Sequence, residues 1–236
     1  MTDKVNKIDK FLLNEDKNIY IFGNISEKMS FEVVADLVEL SANIVNNGMI
    51  NPEITIFLNT EGGDLTEMYA IYDMIKFVQN KGIDVSIIGL GKVMSAGLTL
   101  LGAGTKGKRK VSKNTRLMFH EIRTEYSGDI SELRAEIKES DFVQDQYLTC
   151  LVNDTSKNRA HYEQILKERV NHYFSPETAI EWGLADEVFD LEDMPPRTVL
   201  KSKGKTSVSR SSIREAVKKV QASKKTKWQP YRCEYS

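Results

Sequence analysis

The sequence predicts a layered α/β protein over residues 18–190. Three observations carry that prediction. Short runs of β-branched and aromatic residues alternate with longer stretches whose apolar residues recur at helical spacing. Asp64, Ser95 and Ser175 stand where helices must begin, as residues that can cap a first turn. The strand-then-helix order is the one that builds sheets covered by helices.

Asn18–Gly23 reads as the first strand, and Ser30 as the cap of a helix carrying Val34, Leu37, Val38, Ile44 and Val45. Ile54–Leu58 is the next strand and ends in Asn59-Thr-Glu-Gly-Gly-Asp64, whose Asp64 caps a helix with Met68, Ile71, Tyr72, Ile75 and Val78 on one face. Val85–Ile88 is a buried strand, and the apolar run from Ala96 is a buried helix. Gly104–Arg109 is a turn, and Arg116–His120 is a strand ending on a histidine. A long helix is predicted from about Ile130 to Asn153, then helices at Tyr162–Glu168 and Ser175–Trp182, the last stopped by Gly183.

The chain has 236 residues, 40% hydrophobic and 28% charged, which is ordinary for a soluble globular protein. Met1–Tyr20 contains no signal-peptide apolar core, and no later apolar run is long enough to cross a bilayer, so a cytoplasmic location is expected. Cys150 and Cys233 suggest neither a disulfide framework nor a metal site, and no cofactor is expected. The net charge of −1 hides an asymmetry. From Arg197 to Ser236 there are twelve Lys or Arg against Glu215 and Glu234, a net of +10, which leaves 21 basic against 32 acidic residues before it. Three regions follow: an N-terminal segment 1–17, a folded domain 18–190, and a basic, flexible extension 191–236 that could meet nucleic acid or an acidic protein.

Ser95 is the centre of the chemistry. It falls where a strand gives way to a helix, whose first N–H groups can stabilise an oxyanion, and the small residues Ala96 and Gly97 let a substrate approach the backbone. A hydroxyl needs a base, and His120 at a strand end could reach Ser95 across neighbouring strands. His161 lies in a polar helix; His172, beside Asn171, is an alternative base. Gly102–Arg109 looks like a phosphate-binding loop but lacks the Ser or Thr that should follow the lysine, which argues against an NTPase.

Six blocks carry a resemblance: Asn59–Gly63, Tyr69–Asp73, Gly91–Gly97, Gly102–Arg109, Met118–His120 and Ala179–Asp186. In order and spacing they resemble the proteolytic subunit of Clp protease, ClpP, over essentially all of residues 18–190. The resemblance implies a ClpP/crotonase-type fold of repeated β-β-α units with a long protruding helix. It also implies a serine endopeptidase with Ser95 as nucleophile, His120 as general base, the Gly63 and Ala96 N–H groups as oxyanion hole, and Asn171 where the family's triad aspartate stands. Stacked rings are implied too, with Leu133, Ile137, Val143, Tyr147 and Leu151 of the long helix supplying ring-to-ring contact. Polypeptide substrates would be unfolded or short unless an ATP-driven unfoldase assists. Thr60-Glu61 replaces the family's Ser-Pro, setting a carboxylate beside the implied hole, and Val170 replaces an arginine that in many members couples assembly to the triad. Other readings are a weakly active or regulatory subunit, a viral capsid-maturation protease of the same fold, and a crotonase-type acyl-CoA enzyme.

Overall fold

The computed structural model describes residues 17–189. The N-terminal segment apart from Lys17, the basic extension and Cys233 lie outside the described residues.

Three parallel strands, β1 (Asn18–Phe22), β2 (Glu53–Thr60) and β3 (Asp84–Met94), lie side by side in chain order. Helices α1 (Glu27–Asn46) and α2 (Leu65–Asn80) make the crossovers that parallel neighbours require. Ile54, Ile56, Leu58, Val85, Ile87 and Ile88 are all buried. Central parallel strands are covered on both faces, so their apolar residues run on instead of alternating with polar ones. Asp64 caps α2 as predicted, its carboxylate accepting from the Thr66 and Glu67 N–H groups. Ser30 does not cap α1. That helix starts a turn earlier, after Ser26, and the Ser30 hydroxyl is buried and donates to Glu67 of α2. A tertiary bond between helices has claimed a serine whose local pattern fits a cap.

The strand predicted to end at Ile88 runs on to Met94. Between Leu58↔Gly89 and Thr60↔Val93 its register with β2 jumps, and β3 changes its other neighbour at the same place. Residues 87–89 pair with β4 (Arg109–Ser112) and residues 92–94 with β5 (Arg116–Phe119). This change of partner carries the end of β3 to the end of β5. A short apolar helix, α3 (Ala96–Ala103), leaves from there and is buried throughout.

The 25-residue helix α4 (Ile130–Asp154) opens on a capping box formed by Asp129 and Glu132, and α5 (Arg159–Leu166) follows. Only the end of α4 joins the core. Tyr147, Leu148, Cys150 and Leu151 are buried, whereas Ile130, Ile137 and Phe142 are 70%, 54% and 57% exposed. Tyr147 and Leu151 therefore serve this chain's own core, which removes them from the stripe expected to contact another ring. Strand β6 (His172–Phe174) pairs antiparallel with β5, α6 (Pro176–Trp182) follows, and β7 (Glu187–Phe189) pairs with β4. β4, β6 and β7 were not expected from sequence. With three or four residues each, they depend on pairing with a neighbour more than on their own propensity. The architecture is mixed α/β with a mostly parallel sheet, as predicted; among the described residues the order β-β-α occurs once, as β4–β5–α4.

Arg109 and Lys108, two of the three cations of the loop that looked like a phosphate cradle, are spent on the fold. Lys108 pairs with Glu53 and Asp84. Arg109 is 3% exposed and grips Asp186 through Nε at 2.9 Å and Nη2 at 2.6 Å, while Nη1 donates to the Asp154 carbonyl at 2.8 Å. Burial raises the Asp186 pKa, but hydrogen bonds and charge from Arg109, with the Gly107 N–H, outweigh it and hold the carboxyl below its ordinary value. The Arg109 guanidinium is buried and its partners are all supplied by the fold, so Arg109 serves stability instead of ligand binding.

Candidate active site

Ser95 sits between β3 and α3 with φ 52° and ψ −125°, a backbone conformation that a residue with a Cβ adopts only under constraint. Three bonds supply the constraint. Its N–H donates to the Met118 carbonyl at 2.8 Å, and its own carbonyl accepts from the Leu98 N–H at 2.9 Å and the Tyr147 hydroxyl at 3.2 Å. The strained turn lifts the side chain off the end of β3. There Ser95 Oγ meets His120 Nε2 at 2.8 Å.

His120 follows the last residue of β5, and the pairing of β3 with β5 brings it beside Ser95. Burial, and then the positive charge of Arg123, lower its pKa from the ordinary histidine value, favouring the neutral ring that can accept a proton. The other two histidines stand elsewhere. His172 stacks on Trp182 with centroids 5.8 Å apart, and His161 meets the same indole edge-on at 4.7 Å.

The glycine turn after β2 lies directly against Ser95. A Cβ on Gly62 (φ 101°) would fall 2.7 Å from Ser95 Cβ, and one on Gly63 (φ 149°) would fall 2.2 Å from the Ile25 carbonyl oxygen. Only glycine fits either place. Thr60, fully buried, fixes the turn: its hydroxyl donates to the Gly23 carbonyl at 2.6 Å and accepts from the Gly62 N–H at 3.0 Å. Glu61 instead turns to solvent and pairs with Lys92 at 2.7 Å, so the carboxylate expected beside the hole is met by a cation. Ala96 is the first residue of α3, a position whose N–H has no partner within the helix.

Asn171 stands just before β6. Its Oδ1 accepts from Arg123 Nη2 at 2.8 Å and its Nδ2 donates to the Tyr173 hydroxyl at 3.4 Å. The His120 Nδ1 atom is enclosed and has no hydrogen-bond partner among the described residues. The structure thus brings Ser95, His120 and the glycine turn together, and gives Asn171 to Arg123.

The amino-acid sequence matches the Clp protease family over residues 2–192. The chain belongs to the Clp protease family. It is 30% identical over 203 residues to ATP-dependent Clp protease proteolytic subunit 4, chloroplastic, of Arabidopsis thaliana, a match covering 86% of this chain and 66% of that protein. It is 32% identical over 181 residues to the ATP-dependent Clp protease proteolytic subunit of Deinococcus radiodurans, covering 75% of this chain and 82% of that one.

For a Clp protease chain, three contributors to this site were not singled out from sequence. Tyr147 reads as one more apolar helix position, yet its hydroxyl holds the Ser95 carbonyl. Thr60 reads as a departure from Ser-Pro, yet it fixes the glycine turn. Arg123 opens the stretch Arg123–Asp129 that, by the resemblance, stands where the family has a glycine-rich substrate strand; here residues 120–127 form neither helix nor strand, and Arg123 instead contacts Asn171. Among the described residues no cluster of three or more His, Cys, Asp or Glu could hold a metal ion, and no helix is long and apolar enough to cross a membrane.

Proposed function

We propose that this chain is a serine endopeptidase subunit that cleaves polypeptides through an acyl-enzyme. The observation that carries the reading is the 2.8 Å contact of Ser95 Oγ with His120 Nε2 at a strained strand-to-helix turn beside Gly62 and Gly63. As Oγ attacks the scissile carbonyl, His120 Nε2 takes its proton. In this reading the Gly63 and Ala96 N–H groups serve as the oxyanion hole, stabilising charge that develops only in the transition state. His120 then delivers the proton to the departing amine, leaving an ester on Ser95. Water attacks that ester by the same exchange in reverse, with His120 again as base. No step calls for a metal or cofactor.

The segment that follows His120, Ile122–Glu125, borders a shallow, solvent-open depression, which supports this side of the site as the one a substrate chain would approach. The name of each relative describes an ATP-dependent proteolytic subunit, which supports ring assembly and an ATP-driven unfoldase as partner. The exposed Ile130, Ile137 and Phe142 of α4 support a neighbouring subunit packing there. The cytoplasmic location rests on composition; the Arabidopsis protein is chloroplastic by name.

A fluorophosphonate probe followed by peptide mass mapping tests the nucleophile. The expected adduct is on Ser95; an adduct elsewhere, or none, overturns the assignment.

A weakly active subunit is the second reading, favoured by Asn171. An aspartate would fix the histidine tautomer and stabilise the imidazolium, and a neutral amide does little of the latter. Asn171→Asp should therefore raise kcat for a short peptide about tenfold, because a carboxylate can accept from both Arg123 and His120 Nδ1. An unchanged or lower kcat would show that position 171 does not serve His120.

A further inference from the structure

We infer that Arg123 is a positioning residue that engages the carbonyl oxygen of Asn171 in place of His120 and so holds the Ser95–His120 pair in a low-activity arrangement. This rests on the reading of Ser95 as nucleophile and His120 as base.

The antiparallel ladder of β5 and β6 ends on Phe119↔His172, so the next residues along it, His120 and Asn171, stand opposite each other just past the paired ends. That is where an acceptor for the histidine Nδ1–H belongs. The acceptor is occupied: Asn171 Oδ1 receives Arg123 Nη2 at 2.8 Å, and the other end of the same amide is directed to Tyr173. His120 Nδ1 is left enclosed and, among the described residues, unpartnered. Nothing at Nδ1 then selects the tautomer that carries the proton there and leaves Nε2 free to accept from Ser95 Oγ. In the other tautomer Nε2–H donates to the serine, and the base cannot act.

The guanidinium hinders the reaction a second way. Proton transfer makes an imidazolium, and Arg123 is the charged group that lowers the His120 pKa. The other titratable groups on elements packed here act less directly. On β6, His172 is turned to Trp182; on α4, the Tyr147 phenol is kept neutral by burial; Glu121, next in the chain, is exposed. Arg123 itself lies in residues 120–127, a stretch without helix or strand, and its bond to Asn171 is open to solvent. A hydrogen bond so exposed adds little to the stability of the fold. It is suited to holding a side chain back rather than to supporting the fold.

The test compares wild type, Arg123→Met, Arg123→Lys, Asn171→Ala and the double variant Arg123→Met/Asn171→Ala as full chains. Three quantities are measured: the rate at which a small fluorophosphonate labels Ser95, kcat and KM for a short peptide, and the pH dependence of labelling. On the alkaline plateau Arg123→Met should label about tenfold faster and raise kcat similarly, with KM within about twofold. Its acid limb should move to higher pH, because a positive charge that lowered the His120 pKa is gone. Arg123→Lys keeps the charge but not the fork, so its acid limb should stay with wild type while its plateau rate rises part of the way. In the Asn171→Ala background most of the acceleration should disappear, leaving only the smaller part that comes from removing the Arg123 charge beside His120. Unchanged or slower labelling in Arg123→Met, or an acceleration of undiminished size without Asn171, overturns the inference. A wild type that takes up no probe at Ser95 overturns instead the nucleophile assignment on which the inference rests.

Discussion

Ser95→Ala is expected to abolish peptide cleavage, lowering kcat by a factor on the order of 10⁶ as in serine proteases stripped of their nucleophile. The fold should hardly notice. The bonds that fix this turn are made by the Ser95 backbone, through its N–H to Met118 and its carbonyl from Leu98 and Tyr147, and alanine keeps all three. Alanine also takes on the same positive φ at similar cost. The melting temperature should therefore stay within a few degrees of wild type, a shift of less than about 1 kcal/mol. Peptide turnover assays with calorimetry on the same preparation check both halves. Cleavage persisting in material free of other proteases would show that the hydroxyl meeting His120 at 2.8 Å is not the nucleophile.

Gly62→Ala should have the next largest effect. The added methyl would lie 2.7 Å from Ser95 Cβ, 3.2 Å from Ser95 Oγ and 3.1 Å from the Met94 carbonyl oxygen, at a φ of 101° that side chains rarely accept. Either the serine or the glycine turn must move. Misplacing a reacting group by about 1 Å costs on the order of 10² in rate, and disturbing an oxyanion donor costs about 10²–10³, so kcat/KM should fall by at least about a hundredfold. Stability should drop by about 1–3 kcal/mol from the backbone alone. Gly48→Ala is the control. Gly48 also has a positive φ, 56°, but its methyl would meet nothing within 4 Å. It should lower the melting temperature and leave kcat/KM unchanged. A Gly62→Ala enzyme that behaves like Gly48→Ala would mean the turn is not part of the site.

Most of the layering was legible because its signals are local. The run Ile54–Leu58, the helical spacing of Met68, Ile71, Ile75 and Val78, and the Asp64 cap each report a conformation set within a few residues. The short strands β4, β6 and β7 were missed for the complementary reason. His172-Tyr-Phe174 has no alternation long enough to read, and it is a strand because β5 lies beside it. Ser30 failed the other way, since a good cap signal lost to a bond with Glu67, 37 residues on.

The candidate site divides along the same line. Sequence alone determined which groups could do chemistry: a serine at a strand-to-helix junction, a histidine at a strand end, and paired glycines where backbone must come close. Those are statements about residue type and local turn, and local propensity carries them. Tertiary structure decided which of the groups meet. His120 rather than His172 reaches Ser95 because β3 changes partner from β4 to β5 partway along its length. Tyr147 leaves the exposed stripe of α4 because the last turns of that helix enter the core. The amide of Asn171 goes to Arg123 because a loop 48 residues earlier in the chain returns alongside it. A side-chain amide can face either way at nearly equal cost, so its direction is set by whichever donor the fold brings nearest, which no pattern along the chain records.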